Sequence, residues 1–214
     1  SIVLGDIGTE TITIEYTTTI TDFTINAFNN KATLVDDGIG DDSPEDSDVI
    51  RPPANSFAKD FKSINYNEKI MNWSLTVNPI REAITELTIL DTFPNRGMIM
   101  LPDTLVVEVD GEEVTEGFTL TPNTEDGETG YHKGFTIEFD ELLLPLNAQM
   151  EISYQTSYDP QLEVEGNTLD PHEGGEGQDR VYKNHAQFIG DTEHGNEFDT
   201  GKDANTTVRQ DSWN

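Results

Sequence analysis

The sequence contains no cysteine, and only 12 of its 214 residues are lysine or arginine, against 42 acidic residues. The absence of cysteine excludes a disulfide scaffold, so a stable fold needs a well-packed core or another covalent link. The net charge of −30 makes the surface repel nucleic acids and anionic membranes, because both bind through lysine and arginine clusters. No apolar run approaches the ~18 residues of a membrane-spanning helix, so we expect no membrane insertion.

Short apolar stretches alternate with polar residues at a period of two. The clearest stretches are 12–16, 73–77, 87–93, 105–109, 135–139 and 152–154. Turn-forming residues such as proline, asparagine and glycine lie between several of them. A period of two is typical of half-buried strands, and many short strands separated by turns predict an all-β antiparallel sandwich.

Two segments lack this alternation. Residues 36–48 are acidic and rich in glycine and serine, and two prolines follow them, which indicates a linker. Residues 159–179 indicate a long loop inserted between two strands. We therefore expect residues 1–52 to be the last strands of one module with an acidic linker, and residues 53–214 to be a complete second module.

An internal repeat supports this division. Residues 4–16 match residues 142–154 in the spacing from leucine to tyrosine, and Asn30 and Asn184 each begin an Asn-x-Ala motif downstream. The alternative is a chance similarity between two alternating strands. If the repeat is real, the chain begins in the middle of a module.

Three polar residues of the second module, Lys59, Asp91 and Asn184, share a strand face with apolar residues two positions away. If they meet inside the core, burial lowers the pKa of the lysine and raises that of the aspartate. A neutral amine is a nucleophile, and a protonated carboxyl can polarise an asparagine amide. The product would be an amide between Lys59 and Asn184, with loss of ammonia. The pattern is also compatible with Lys59 exposed on an edge strand, Asp91 capping a turn and Asn184 bonded to backbone.

The motifs in this region resemble a known family. In order along residues 55–190 they are WSLTVNP (73–79), LTILDTF (87–93), FTIEF (135–139), MEISYQT (150–156) and Asn184-x-Ala186. Together they are similar to the collagen-adhesin-type A modules of Gram-positive surface proteins. The resemblance implies an immunoglobulin-like sandwich with an autocatalytic Lys–Asn isopeptide bond and an acidic catalyst.

On this resemblance, Lys59 and Asn184 form the crosslink and Asp91 shuttles the proton. Lys62 is the alternative lysine, although its parity differs from that of the neighbouring phenylalanines. Asn30 would be the orphan amide partner of the preceding module. An incomplete module exposes strand edges, so head-to-tail strand donation between chains is a further possibility.

Acidic residues crowd the linker and supply oxygen ligands of the kind that calcium prefers. The calcium candidates are Asp36, Asp37, Asp41, Asp42, Asp46 and Asp48. Their spacing does not fit an EF-hand loop, and a solvated acidic linker is the alternative. We expect no other cofactor.

The sequence therefore predicts a structural stalk or adhesion module of a secreted or cell-wall-attached bacterial protein, joined to neighbouring modules of the same protein. One alternative is an adhesin domain that binds collagen or another host or matrix polymer. Another is a strand-donating fibre subunit. A carbohydrate-active enzyme is the third, although no nucleophile elbow or phosphate-binding loop occurs.

Overall fold

The computed structural model describes residues 2, 11–18, 27–34, 45–50, 57–94, 97–123, 130–159, 169–171 and 178–208. All regular secondary structure in these ranges is β-strand. The strands are β1 (Phe28–Thr33), β2 (Glu45–Ile50), β3 (Ala58–Asn65), β4 (Ile70–Val77), β5 (Ile84–Thr92), β6 (Met98–Val109), β7 (Glu112–Val114), β8 (Phe118–Pro122), β9 (Gly134–Phe139), β10 (Met150–Tyr158), β11 (Leu169–Pro171), β12 (Gln178–Thr192) and β13 (Phe198–Val208). No helix long and apolar enough to cross a membrane occurs in the part of the chain described.

The strands form two large antiparallel sheets and one small one. One large sheet has the strand order β3-β4-β10-β6-β7, and the other has the order β11-β12-β5-β9-β8, with β13 also paired to β12. Strands β1 and β2 form a separate two-stranded sheet. Strands β10 and β12 are therefore hydrogen-bonded to neighbouring strands on both sides.

A single hydrophobic cluster draws on both large sheets. Strand β4 contributes Trp73 and Leu75, while β5, β9 and β12 contribute Ile89, Phe135 and Phe188, all essentially inaccessible to solvent. These residues follow the period of two, because alternate side chains of a strand point to the same face. The predicted all-β antiparallel sandwich is confirmed.

The end of the predicted linker is a strand in the structure. Residues 45–50 form β2, which pairs with β1 over Phe28↔Ile50 to Thr33↔Glu45. Backbone pairing places an acidic, non-alternating stretch in a strand, because ladder hydrogen bonds do not depend on side-chain polarity. Residues 36–44 lie outside the described residues, so the division at residue 52 stays a prediction.

The predicted long loop also contains a short strand. β11 pairs with the first residues of β12, and residues 160–168 before β11 and 172–177 after it lie outside the described residues. The strand that carries Asn184 thus begins within the segment predicted to be loop, at Gln178.

Candidate functional site

Strand β3 turns Lys59 into the core. Lys59 lies opposite Leu75 of β4, and its side chain has no solvent-exposed surface. The register of β3 against β4 shifts between Phe61 and Ser63, which leaves Lys62 as the unpaired residue of a bulge. The Lys62 side chain is 54% exposed and lies 3.3 Å from Asp60. The bulge therefore separates the two candidate lysines, and it is Lys59 that reaches the interior.

Strands β5 and β12 bring Asp91 and Asn184 together. Asp91 lies directly opposite Ala186 in the antiparallel register, and Asn184 is on the same face as Ala186, two positions away. Diagonal neighbours of this kind are within reach of each other across a sheet. Both side chains are buried. The sheet register thus places a carboxyl beside a carboxamide.

A glycine fixes the backbone beside Asp91. Gly134 of β9 has a φ of 111°, a region that L side chains rarely adopt. A Cβ at this position would clash with the carbonyl oxygen of Asp91. The same carbonyl oxygen accepts a hydrogen bond from Asn123 Nδ2 at 2.8 Å. The close approach of β9 therefore depends on glycine and holds the backbone of Asp91 from one side.

The side chains of Lys59, Asp91 and Asn184 meet at one hydroxyl, that of Tyr154 on β10. Lys59 Nζ donates to Tyr154 Oη at 2.8 Å, and Asn184 Nδ2 donates to it at 2.7 Å. The hydroxyl donates to Asp91 Oδ2 at 2.9 Å. Lys59 Nζ also donates directly to Asp91 Oδ2. The lysine amine and the asparagine amide are thus both within hydrogen-bonding reach of the same atom.

Burial shifts the ionisation of all three titratable groups. Loss of solvation lowers the pKa of Lys59, and the nearby Asp91 carboxylate only partly opposes this. Loss of solvation likewise raises the pKa of Asp91. The pKa of Tyr154 lies well above 10, first because of burial and then because of the charge on Asp91. These directions favour a neutral amine, a protonated carboxyl and a neutral phenol, the forms that amide exchange requires.

Aromatic rings enclose the lysine. Lys59 Nζ lies 5.2 Å from the ring centroid of Tyr154 and 5.9 Å from that of Trp73. Phe135 packs edge-on against Tyr154, with ring centroids 4.9 Å apart. The rings exclude water, which would otherwise solvate the amine and compete with it for the amide.

Two oxygens of the site are buried without a hydrogen-bond partner among the described residues, Asp91 Oδ1 and Asn184 Oδ1. Buried polar atoms are nearly always paired, so each exception needs an explanation. A carboxyl and a carboxamide that are not fully satisfied keep acceptor capacity free for proton transfer.

Tyr154 is not among the site residues that the sequence predicts. Its place in the alternating stretch 152–154 indicates only a strand residue. The available signal was the repeat, since residues 4–16 and 142–154 both end in tyrosine. The three other predicted residues are brought together, and their roles in a reaction stay predictions.

Asn30 occupies a different setting. It lies on β1, its side chain is exposed, and its Oδ1 accepts a hydrogen bond from the hydroxyl of Tyr16 at 2.9 Å. Tyr16 and Asn30 hold the same places in the predicted repeat as Tyr154 and Asn184. The hydrogen bonds of the two pairs run in opposite directions, because Tyr16 donates to Oδ1 of Asn30 and Nδ2 of Asn184 donates to Tyr154. A role for Asn30 as an amide partner stays a prediction.

The calcium hypothesis is not tested by the structure. Asp36, Asp37, Asp41 and Asp42 lie outside the described residues. Asp46 and Asp48 lie on β2, where each accepts a hydrogen bond from the next backbone amide, at 2.9 and 2.7 Å. Among the described ranges, no three acidic or histidine residues form a group able to hold a metal. Calcium binding stays a prediction.

No protein-family model matches the sequence, and no curated protein is similar to it. Similar solved structures are collagen-binding domains of Gram-positive surface proteins and pilus subunits. The collagen-binding subdomain of the Enterococcus faecalis surface protein ACE is 10% identical, with a TM-score of 0.47 over 70% of this chain and 96% of that chain. The collagen-binding domain of a Staphylococcus aureus adhesin is 15% identical, with a TM-score of 0.46 over 72% of this chain and 96% of that chain.

The pilus backbone protein RrgB of Streptococcus pneumoniae is 16% identical, with a TM-score of 0.43 over 68% of this chain and 34% of that chain. These neighbours are of the class that the sequence motifs resemble. Their identities to this chain are 10–16% and their TM-scores are below 0.5. What those proteins bind or build is not thereby assigned to this chain.

Proposed function

We propose that this chain is a structural or adhesion module of a bacterial cell-surface protein, and that an amide bond between Lys59 and Asn184 locks its two sheets together. The observation that carries the proposal is the meeting of a buried amine, a buried carboxyl and a buried carboxamide around one hydroxyl. The cell-surface setting comes from the resemblance of the motifs to adhesin modules.

The chemistry is one turnover on the protein's own side chains. Lys59 Nζ attacks Cγ of Asn184, the Cγ–Nδ2 bond breaks and ammonia leaves. Asp91, which is protonated at the start, gives its proton to the departing nitrogen and takes up the proton that the amine loses, so it ends as it began. The site is enclosed by the two sheets, and its carboxyl faces side chains of the core. The reaction therefore takes place between side chains of the protein itself, and no external substrate binds at this site.

The bond would connect β3 at the edge of one sheet with β12 in the other. In the absence of cysteine it supplies the covalent link that an exported protein otherwise gains from disulfides. By analogy with disulfides, closing a loop on the order of 100 residues contributes about 5 kcal/mol through the unfolded chain. A stalk under tension gains more, because the link bears load that ladder hydrogen bonds would otherwise carry.

Intact mass spectrometry of the denatured protein tests the proposal. Wild type should weigh about 17 Da, the mass of ammonia, less than its sequence predicts. Lys59→Met, Asp91→Ala and Asn184→Ala should each restore the full mass. Lys62→Met is the matched control and should keep the loss, because Lys62 is the exposed residue of the bulge. A full-mass wild-type protein would rule the crosslink out.

A further inference from the structure

The hydroxyl of Tyr154 uses all of its hydrogen-bonding capacity within the site. A phenol offers one donor and accepts through its oxygen lone pairs. The donor is directed to Asp91 Oδ2 at 2.9 Å, and the oxygen accepts from Lys59 Nζ at 2.8 Å and Asn184 Nδ2 at 2.7 Å. Its partners are therefore the nucleophile, the acid and the leaving group of the proposed reaction.

We propose that Tyr154 is a catalytic residue of the crosslinking reaction, and that its hydroxyl relays a proton from Asp91 to the nitrogen that leaves Asn184. This inference rests on the proposed function. It assigns the leaving-group step to a residue other than the aspartate, because the hydroxyl contacts Asn184 Nδ2 directly. Asp91 then acts on Nδ2 through Tyr154.

The proton transfers balance. Attack by the neutral Lys59 amine forms the Nζ–Cγ bond and turns the amide carbon of Asn184 tetrahedral. Tyr154 gives its proton to Nδ2, the protonated Asp91 gives its proton to the phenol oxygen, and the Cγ–Nδ2 electron pair leaves with ammonia. Asp91 is then reprotonated by the proton that Nζ loses. The net change is one amide bond formed and one molecule of ammonia released.

The change in hydrogen-bond direction needs no movement of heavy atoms. In the resting amide, Nδ2 donates to the hydroxyl, since an amide nitrogen has no free lone pair to accept a proton. In the tetrahedral intermediate that nitrogen is an amine and becomes an acceptor. Rotation of the Tyr154 O–H about its C–O bond then redirects the proton from Asp91 to Nδ2 over the same 2.7 Å contact.

The environment of Tyr154 favours a phenol that passes a proton on over a phenolate anion that persists. Burial holds the pKa of Tyr154 well above 10, so the phenol keeps its proton until it can exchange it for another. The ring is held by Phe135, edge-on at 4.9 Å, and its strand β10 lies between β4 and β6. The hydroxyl is thus fixed in position before the reaction begins.

Tyr16 and Asn30, which occupy the corresponding places in the predicted repeat, also form a hydrogen bond, of 2.9 Å between exposed side chains. Its direction differs, because the hydroxyl of Tyr16 donates to Oδ1 of Asn30, whereas Nδ2 of Asn184 donates to the hydroxyl of Tyr154. The relay therefore rests on the contact between Tyr154 and Nδ2 of Asn184 alone.

Tyr154→Phe tests the relay, with Tyr158→Phe as the matched control. Tyr158 is also buried on β10, on the same strand face, and its hydroxyl has no hydrogen-bond partner among the described residues. Each protein is sampled at intervals after cell-free synthesis, and loss of ammonia is followed by intact mass. We expect Tyr154→Phe to crosslink about 10²–10⁴-fold more slowly. Tyr158→Phe should react at the wild-type rate.

A second substitution separates chemistry from packing. Fluorotyrosine at position 154 keeps the ring and the hydrogen bonds but makes the phenol more acidic, so a relay predicts an altered rate and a shifted pH profile. A structural role predicts neither. The relay is overturned if Tyr154→Phe reacts at the wild-type rate, or if fluorotyrosine changes nothing. If wild type itself keeps its ammonia, the proposed function fails, whichever result the variants give.

Discussion

Burial in a core without water reverses the usual protonation preference of a lysine and an aspartate that lie in contact. In water the pair is an ammonium and a carboxylate, whereas burial lowers the pKa of Lys59 and raises that of Asp91. The pair holds one titratable proton in either form, so moving it from nitrogen to oxygen needs no proton from solvent. Because burial penalises the two charges, it favours the neutral amine, which is the nucleophilic form of lysine.

Asp91→Asn makes the lysine shift measurable. Without the carboxyl, the main group that opposes desolvation is removed, so the pKa of Lys59 in the folded state lies further below the 10.5 of the unfolded chain. The unfolded state then binds more protons, so the free energy of unfolding should rise with pH. The slope approaches about 1.4 kcal/mol per pH unit. The rise begins above the lowered pKa and ends near 10.5, as denaturant titrations at several pH values would record.

The control for this slope is the double variant Asp91→Asn with Lys59→Met. Methionine has a similar length and no titratable amine, so the rise with pH should disappear. A slope that persists in the double variant would mean that another group causes it, and Lys59 would not be the buried base.

At the scale of strands, the site depends on how closely β9 can approach β5. Gly134→Ala should destabilise the sandwich, because a Cβ there clashes with the carbonyl oxygen of Asp91 and the backbone has a φ of 111°. Gly111→Ala is the matched control, since Gly111 has a φ of 84° but open space around its Cα. The control isolates the cost of the backbone conformation alone.

We expect Gly111→Ala to cost about 1–2 kcal/mol in the free energy of unfolding. Gly134→Ala should cost at least ~2 kcal/mol more, in line with overpacking. It should also slow crosslinking, because Asp91 is displaced. Equal losses in the two variants, measured by chemical denaturation, would contradict a role for the close approach.

The sequence predicts the strands and the inward-facing polar residues because the face on which a strand residue lies depends only on its neighbours in the same strand. Lys59, Asp91 and Asn184 each follow the apolar residues of their own strand, which a period of two makes visible. Strand order is not local. That β10 pairs with β4, and so brings Tyr154 near Lys59 on the far side of β4, follows from the sheet topology. The tyrosine hydroxyl could not be placed without it.

The sequence pattern also could not predict the places where strand pairing departs from the regular alternation. The bulge that leaves Lys62 unpaired is a shift in register between two strands, and residue types alone do not specify it. Strand β2 has no alternation, so only its pairing with β1 defines it. In both places backbone hydrogen bonding decides the structure.

At the scale of the whole molecule, the proposed bond changes how the chain responds to force. If Lys59 and Asn184 are joined, the chain between them cannot extend when the termini are pulled. Single-molecule stretching should therefore release roughly 400 Å less contour length in wild type than in Lys59→Met, at ~3.4 Å per residue. Lys62→Met should behave as wild type. Equal contour lengths in wild type and Lys59→Met would show that no such link carries load.

The most direct test of the central claim is a peptide map of the wild-type protein. After denaturation and proteolysis, tandem mass spectrometry should find one branched peptide that joins the β3 segment to the β12 segment through Lys59 and Asn184. Its mass should equal the two peptides minus about 17 Da of ammonia. Recovery of the two peptides separately at their full masses would contradict the account, as would a branch at any other pair of residues.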